Sequence, residues 1–402
     1  MIFLRAAVLR YCAVGAVAAA TLPAAGTAQA RDSVSSVVVA PGVTWRRVVR
    51  PAGPWVINVV TIPLGNAGYE LRHVRALDSL RGREKVTSMA ARAPEGAERV
   101  IAAINADFFN VQTGESENNQ VIGGEWWKGV RAADSRFDTF PNVRTQFATD
   151  PRGRPLLDRF QFDGVAVAPK GLIPLLGLNF LSRTGPETSV LYTERVGMTP
   201  LDTARAVAEA PLQAAGWRGD TILYVRRGEI AKAGGHRVPA GAAVLAGYGP
   251  RATAVAALAE GDTVRVVLRA RTPTATYAPA LLIGGWPRIV RAGVNIAGNS
   301  ASDEATLSGN AEVRHPRSAI GFSRDSSTLI LATVDGRQAS SVGMTIVELA
   351  ELMREFGAWD ALNFDGGGST AMVIKGRVAN SPSDPTGERA VANALLVVRR
   401  NP

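Results

Sequence analysis

Short apolar runs, rich in β-branched residues and closed off by glycine, proline or aspartate, dominate this chain and commit it to a strand-rich fold. Trp55 to Ile62, Val100 to Ile104, Thr221 to Val225, Thr263 to Leu268, Thr328 to Val334, Ala371 to Ile374 and Ala394 to Val398 all have strand length. The segment from Thr263 to Arg269 partly alternates apolar and polar residues, as a half-buried strand should. Helix signals are few. The best covers Thr345 to Phe356, where Thr345 and Glu348 form a capping-box pattern and Gly357 supplies a stop. Ile346, Leu349, Ala350 and Met353 fall on one face of it. Further helices are expected over Pro200 to Ala208 and Ala252 to Ala259. The pattern predicts an α+β architecture of mixed, strand-rich sheets with a few helices. No G-x-G-x-x-G follows a strand and no βαβ unit repeats, which argues against a doubly wound dinucleotide fold.

The first thirty residues read as a secretory signal peptide. Arg5 and Arg10 precede an apolar stretch from Tyr11 to Leu22, and Ala28-Gln29-Ala30 is a small-x-small cleavage signature. Cleavage after Ala30 removes Cys12, the one cysteine, so the mature chain has no thiol or disulfide chemistry. A chain of this length buries enough core to do without such staples. Later apolar runs are too short to span a bilayer; the one around Leu172 to Leu181 is broken by Pro174 and Gly177. The reading is a secreted or periplasmic protein. Its net charge falls from +10 to +8 once Arg5 and Arg10 are gone. That balance favours anionic partners such as sugar phosphates or acidic polysaccharides. No nucleic-acid-binding motif is present.

Organisation is that of one functional unit. Residues 31 to 99 form an N-terminal strand-rich segment expected to pack on a main domain over 100 to 402, and a boundary near residue 165 is the alternative division.

Chemistry-bearing residues gather at strand ends. Ala361-Leu362 leads into Asn363-Phe364-Asp365-Gly366-Gly367-Gly368-Ser369-Thr370 and then into an apolar strand. Three consecutive glycines are conformationally costly, so such a segment implies positive φ or close approach of backbone to another group. Asn105-Ala106-Asp107-Phe108-Phe109 ends another strand, followed by Gly114-Glu115 and Trp126-Trp127. Arg314-His315-Pro316-Arg317 precedes a strand and forms a plausible anion clamp, because the guanidinium fork matches phosphate oxygens. Asp335-Gly336-Arg337 follows a strand, and Asn380 to Asp384 with Glu388 to Asn393 precedes the last one. Each alone is compatible with an ordinary turn. Other chemistries lack their signatures: there is no HExxH or Cys-x-x-Cys and only three histidines, and Ser369 lacks the G-x-S-x-G elbow. The glycine loop lacks the Lys-Ser/Thr ending of a P-loop.

Taken in order, these motifs resemble the phosphodiester glycosidase family, densely from about residue 315 to 398 and more loosely from 100 to 315. The carrying segments are Asn105 to Phe109 with Gly114-Glu115, Pro316 to Gly321, Asp335 to Arg337, Glu348 to Glu351, Asn363 to Thr370, Ser381 to Asp384, and Arg389 with Asn393. The resemblance implies a phosphodiester glycosidase-like catalytic domain that hydrolyses a sugar-1-phosphodiester at the anomeric carbon. A phosphate leaving group needs charge stabilisation more than a proton, which suits arginines. On that reading Asp365 is the main catalytic carboxylate. Glu115, Asp107 and Asp335 are the candidates for a second acid–base role. Arg317 and Arg389 hold phosphate with the amides of Gly366, Gly367 and Gly368. Asn105, Asn363, Ser369, Thr370 and Asn393 position sugar hydroxyls or loops, and Trp126 or Trp127 stacks on the sugar. No cofactor is required, although a divalent cation such as calcium or magnesium would find carboxylates to bind. The rivals are a family enzyme cutting exopolysaccharide or wall glycan, a non-catalytic binder of anionic polysaccharide, and a metal-dependent phosphodiesterase.

Overall fold

A computed structural model describes residues 31–400, except 66–67, 95, 135–138, 142–143, 182–187 and 219. The expected signal peptide, with Cys12 and the cleavage site at Ala30, lies outside the described residues. Residues Asp32–Pro402 form one compact unit.

Among the described residues strands dominate, and the longest helix, Ile346–Glu355, has ten residues; the α+β expectation is met in its strand-rich part, in a mostly β protein. An eight-stranded antiparallel sheet runs in the order Ser33–Ala40, Val43–Arg50, Trp55–Pro63, Thr328–Val334, Arg317–Phe322, Asp360–Asn363, Arg288–Arg291, Val294–Asn295. A five-stranded sheet runs Arg377–Val378, Met372–Ile374, Val100–Asn105, Asn393–Arg399, Tyr69–Arg75. Their inner faces share one core, in which Val60, Ile320, Leu331 and Leu362 of the first meet Ile104, Met372, Leu395 and Val397 of the second. Strand alternation sends the intervening residues outward. Val59, Ile330 and Ala332 pack on Leu349 and Met353 of the helix Ile346–Glu355. Ala103, Val373 and Leu396 pack on Val86 and Met89 of the helix Val86–Ala91. The result is helix, sheet, sheet, helix, with the central strands Trp55–Pro63, Thr328–Val334, Arg317–Phe322, Val100–Asn105, Met372–Ile374 and Asn393–Arg399 buried on both faces. That explains why these strands read as continuous apolar runs rather than as alternating ones.

A fourteen-stranded sheet builds its own core around Phe160, Phe162, Leu175, Leu191, Leu245 and Val266. It folds back on itself, so that Phe162 meets Trp126 from a distant strand edge to face at 5.2 Å. Its strand Thr263–Arg271 shows the alternation read from sequence, buried and exposed in turn.

Residues 31–99 supply three strands of the eight-stranded sheet and one of the five-stranded sheet. Val165 lies inside the strand Gln161–Ala168, which is paired on both sides, so the chain does not divide there. The helix expected over Ala252 to Ala259 is present as Arg251–Ala256. The helix expected over Pro200 to Ala208 is absent. Asp202 accepts the backbone N–H groups of Ala204 and Arg205 in a local turn, and Val207 and Ala208 pair with Tyr248 and Gly247 at the start of the strand Val207–Arg218. Side-chain capping of a turn and strand pairing together outweigh a weak helical preference.

The helix Ile346–Glu355 carries the predicted capping box in full. Thr345 Oγ1 accepts the Glu348 N–H at 3.2 Å and Glu348 Oε2 accepts the Thr345 N–H at 2.9 Å. Thr345→Ala is expected to lower stability by about 1 kcal/mol, read as a fall in the denaturant midpoint at unchanged slope.

Candidate functional site

The registers of the two inner sheets bring seven strand termini to one end of the molecule. Arg317 opposes Val334, Ala319 opposes Asn363, and Arg288 opposes Leu362. In the five-stranded sheet Met372 opposes Ile104 and Ala394 opposes Asn105. The segment Phe364 to Ala371 therefore crosses from one sheet to the other. Its backbone is fastened on both sides, with Phe364 N–H on Ser318 C=O and Asp365 N–H on Ala106 C=O, each at 2.8 Å. Asn105 clips the crossing together. Its amide donates to Asp365 C=O at 2.7 Å, and its carbonyl accepts Ser318 Oγ at 2.7 Å and Ala371 N–H at 3.0 Å.

Three glycines suit this crossing for separate reasons. A Cβ on Gly366 would lie 2.6 Å from Pro316 O, Gly367 has φ +60°, and a Cβ on Gly368 would lie 2.1 Å from Arg389 Nη2 and 2.2 Å from Asp384 Oδ1. Gly367 N–H donates to Pro316 C=O at 2.9 Å, and Gly366 N–H bonds the Asp365 carboxylate. Two of the three amides expected to cradle an anion are thus committed within the protein, because the loop tightens into a short 3₁₀ turn at Gly367–Ser369.

Above the crossing lies a cleft of about 320 Å3. Asp365 and the three glycines form one wall, with Arg317, Arg337, Arg389 and His315 beside them. Phe108 and Trp286 form an aromatic wall, their rings edge to face at 5.8 Å. Asn363 and Thr306 also line it, and Asn363 Oδ1 and Thr306 Oγ1 are buried polar atoms without a hydrogen-bond partner among the described residues. A cleft with cations on one side, an aromatic surface on another and unpaired polar atoms at its floor suits a ligand that is part anion and part sugar.

The cations differ in freedom. Arg317 is buried, and its guanidinium donates to Met344 C=O and Asn310 C=O at 2.7 Å and to Val313 C=O at 2.9 Å. It anchors the loop before its own strand, and burial followed by the nearby Arg337 pushes it down to about 10. Arg389 is held side-on by Asp384 at 2.7 and 2.9 Å. Arg337 is exposed and approaches His315 Nδ1 at 3.3 Å. Burial, then the two arginines, keeps the His315 ring below its ordinary value. Arg314 lies elsewhere, paired with Glu348.

Of the four carboxylates singled out from sequence, Asp365 alone lines the cleft. Burial pushes its carboxyl up to about 7, with the Glu117 charge adding to the rise and Ser369, Gly366 and Arg389 opposing it. Glu115 is buried and held by Lys128 at 2.8 Å and Arg81 at 3.3 Å. Burial raises it, yet the two cations together bring it below its ordinary value. Asp107 is buried against Asn118 Nδ2 at 2.6 Å, and burial lifts it to about 6. Asp335 is buried, accepts Ser381 N–H at 2.9 Å and is likewise lifted to about 6 by burial. These three organise loops around the site. Asn393 does the same, accepting Asp107 N–H and donating to Ser116 Oγ, both at 2.9 Å. Ser369 hydrogen-bonds Asp365, and Thr370 is buried behind it. Trp126 belongs to the core of the fourteen-stranded sheet, and Trp127 lies under Arg195 at 3.7 Å; neither lines the cleft. The cleft residues that sequence reasoning missed are Phe108 as a wall, Trp286 and Thr306; Glu117 does not line the cleft and reaches Asp365 through its charge. Glu117 stands two positions from Glu115, so the motif carried the signal without separating the two. Among the described residues no group of three or more His, Cys, Asp or Glu side chains is placed to hold a metal ion, and no helix is long and apolar enough to cross a membrane.

The sequence profile of the phosphodiester glycosidase family matches residues 216–398. An SPβ prophage-derived uncharacterized protein of Bacillus subtilis (strain 168) is 41% identical over 85 residues, which is 21% of this chain and 13% of that protein. N-acetylglucosamine-1-phosphodiester α-N-acetylglucosaminidase of Mus musculus is 40% identical over 72 residues, 18% of this chain and 14% of the enzyme. The chain therefore matches about one-seventh of the length of these curated relatives. Among solved structures, a hypothetical protein from Synechocystis superposes with a TM-score of 0.72 at 23% identity, over 92% of this chain and 64% of that one. A candidate exported protein of Burkholderia pseudomallei K96243 gives 0.72 at 19% identity, over 92% and 96%. These two likenesses concern the fold.

Proposed function

We propose that this protein is an exported hydrolase that cleaves a sugar-1-phosphodiester between the anomeric carbon and the phosphate oxygen, releasing sugar and a phosphomonoester. The observation that carries the reading is the cleft itself, where Asp365 and its glycines face Arg337, Arg389 and His315 on one side and Trp286 and Phe108 on the other. The family profile over residues 216–398 supports it, as does the mouse relative, named as an N-acetylglucosamine-1-phosphodiester α-N-acetylglucosaminidase. Export rests on the signal-peptide pattern that ends at Ala30.

The roles follow from the geometry. Arg337 and Arg389 meet the phosphate oxygens as charge builds on the leaving group. Arg317, spent on loop carbonyls, holds the wall and adds field. The sugar lies on Trp286, with Asn363 Oδ1 accepting from a hydroxyl or amide N–H. Asp365, lifted to about 7, carries its proton below that pH and gives it to the bridging oxygen as the C1–O bond breaks. The test is hydrolysis of α- and β-linked sugar-1-phosphodiesters in 18O-labelled water. The expected result is label in the sugar at C1. Label in the phosphomonoester would mean P–O cleavage, and no turnover of any such diester would leave a binding protein.

A further inference from the structure

Resting on that reading, the structure also points to the reaction's second carboxylate. We propose that Glu117, tethered to Arg144 beside the Trp286 wall of the cleft, is the catalytic base that works opposite Asp365. Glu115, Asp107 and Asp335 are all buried and occupied by fixed donors within the protein. Glu117 is differently placed. Its backbone N–H donates to Phe108 C=O at 2.9 Å, which sets it directly against a residue that lines the cleft. Its carboxylate pairs with Arg144, and the Arg144 guanidinium lies 4.4 Å from the centre of the Trp286 ring. The Arg144 side chain is 5% exposed, whereas that of Glu117 is 39% exposed. A buried cation therefore holds an accessible carboxylate at the rim of the aromatic wall, the side on which the sugar rests. Its charge also reaches Asp365, since it is among the causes that lift that carboxyl. Two carboxylates, one that gives a proton to the leaving oxygen and one that takes a proton from water, serve single displacement at an anomeric carbon.

The step balances. A water oxygen bonds to C1 as its proton passes to the Glu117 carboxylate. The C1–O bond breaks with its electron pair going to the bridging oxygen, and the Asp365 proton goes to that oxygen. Free sugar and phosphomonoester leave, Glu117 now carries a proton and Asp365 lacks one, and exchange with solvent resets both.

Glu117→Gln keeps size and a hydrogen bond to Arg144, so a purely structural anchor would survive it. With a sugar-1-phosphodiester substrate, kcat is expected to fall by about 100-fold or more while KM stays within about threefold and the melting temperature is kept. In Glu117→Ala, azide should restore turnover and yield a glycosyl azide, because azide attacks without a base. Wild-type kcat in E117Q, or no glycosyl azide from E117A, overturns the proposal. Should the wild-type protein turn over no sugar-1-phosphodiester, the functional reading fails, and the pairing is then read separately by 13C NMR titration of the Asp365 carboxyl. In E117Q its midpoint is expected to drop by about half a pH unit or more as a neighbouring negative charge is lost. An unchanged midpoint overturns the pairing as well.

Discussion

Asp365→Asn is expected to abolish most turnover and, at alkaline pH, to make the protein more stable. The amide keeps the shape and can still accept from Ser369 and Gly366, the groups that bond the carboxylate, but it has no proton to give to a leaving oxygen. Loss of a positioned general acid corresponds to about 100-fold or more in kcat, here at the lower end of that effect because a phosphate leaving group needs charge stabilisation more than a proton. The stability effect follows from the raised carboxyl. Asp365 titrates near 7 in the fold against an ordinary 3.8, so folding favours its protonated form. That stability is complete below the ordinary value and is lost as pH rises through about 7, where the native carboxylate must ionise beside its desolvating walls. Asparagine does not ionise. At pH 4 the two proteins should therefore unfold alike, and at pH 8 the variant should be more stable by about 1–3 kcal/mol, reduced from the full shift because the residue borders an open cleft. Wild-type kcat should fall above about pH 7 for the same reason. Turnover within tenfold of wild type, or a variant less stable at pH 8, would remove Asp365 from the role.

How far the sequence reached depends on whether each signal was local. Thr328–Val334 and Ile346–Glu355 were legible because apolar period, turn formers and a capping box all lie within the element. Asp365 beside its three glycines stands out, but that segment alone is compatible with an ordinary turn, and only its place among several polar strand ends marks it as part of a candidate site. The aromatic wall was not legible. Trp286 reaches Phe108 only through the register of Arg288–Arg291 against Asp360–Asn363, while Trp126 and Trp127 sit closer in sequence and turn into other surroundings. Glu115 and Glu117 share one motif and differ only in what folds against them, Lys128 and Arg81 for the first and Arg144 for the second. Asn105 and Asn393 looked like substrate contacts because they are polar residues at strand ends. In the fold they satisfy backbone groups where the chain crosses between two sheets, a need that arises only once both sheets exist. A polar strand end is thus as often a clip as a site, and the cleft decides which.

Gly368→Ala is expected to cost activity without costing the fold, and its neighbours sharpen the contrast. The added methyl would sit 2.1 Å from Arg389 Nη2 and 2.2 Å from Asp384 Oδ1. Both are tips of flexible side chains that are 37% and 21% exposed, so they can swing outward at little expense. The consequence falls on the cleft, because the Asp384–Arg389 pair sets a cation in its lining, and on the proposed reaction that cation meets the leaving phosphate. Loss of one charge-assisted contact corresponds to about 1.5–3 kcal/mol, or roughly a 10- to 100-fold fall in kcat/KM, with the melting temperature nearly unchanged. Gly366→Ala meets Pro316 O at 2.6 Å, a backbone atom already engaged by the Gly367 N–H at 2.9 Å, and cannot be relieved by a rotamer change. It should destabilise the whole crossing between the sheets, lowering the melting temperature along with activity. Gly367→Ala is strained by its φ of +60° by about 1 kcal/mol and presses on Arg337 Nη2 at 3.1 Å. Measured side by side, the three variants separate the anion-binding role of the loop from its role as a bridge. If Gly368→Ala retains wild-type kcat/KM, Arg389 does not contact the phosphate. If it unfolds like Gly366→Ala, the glycine is there to join the sheets, and its place beside Asp365 has no bearing on the chemistry.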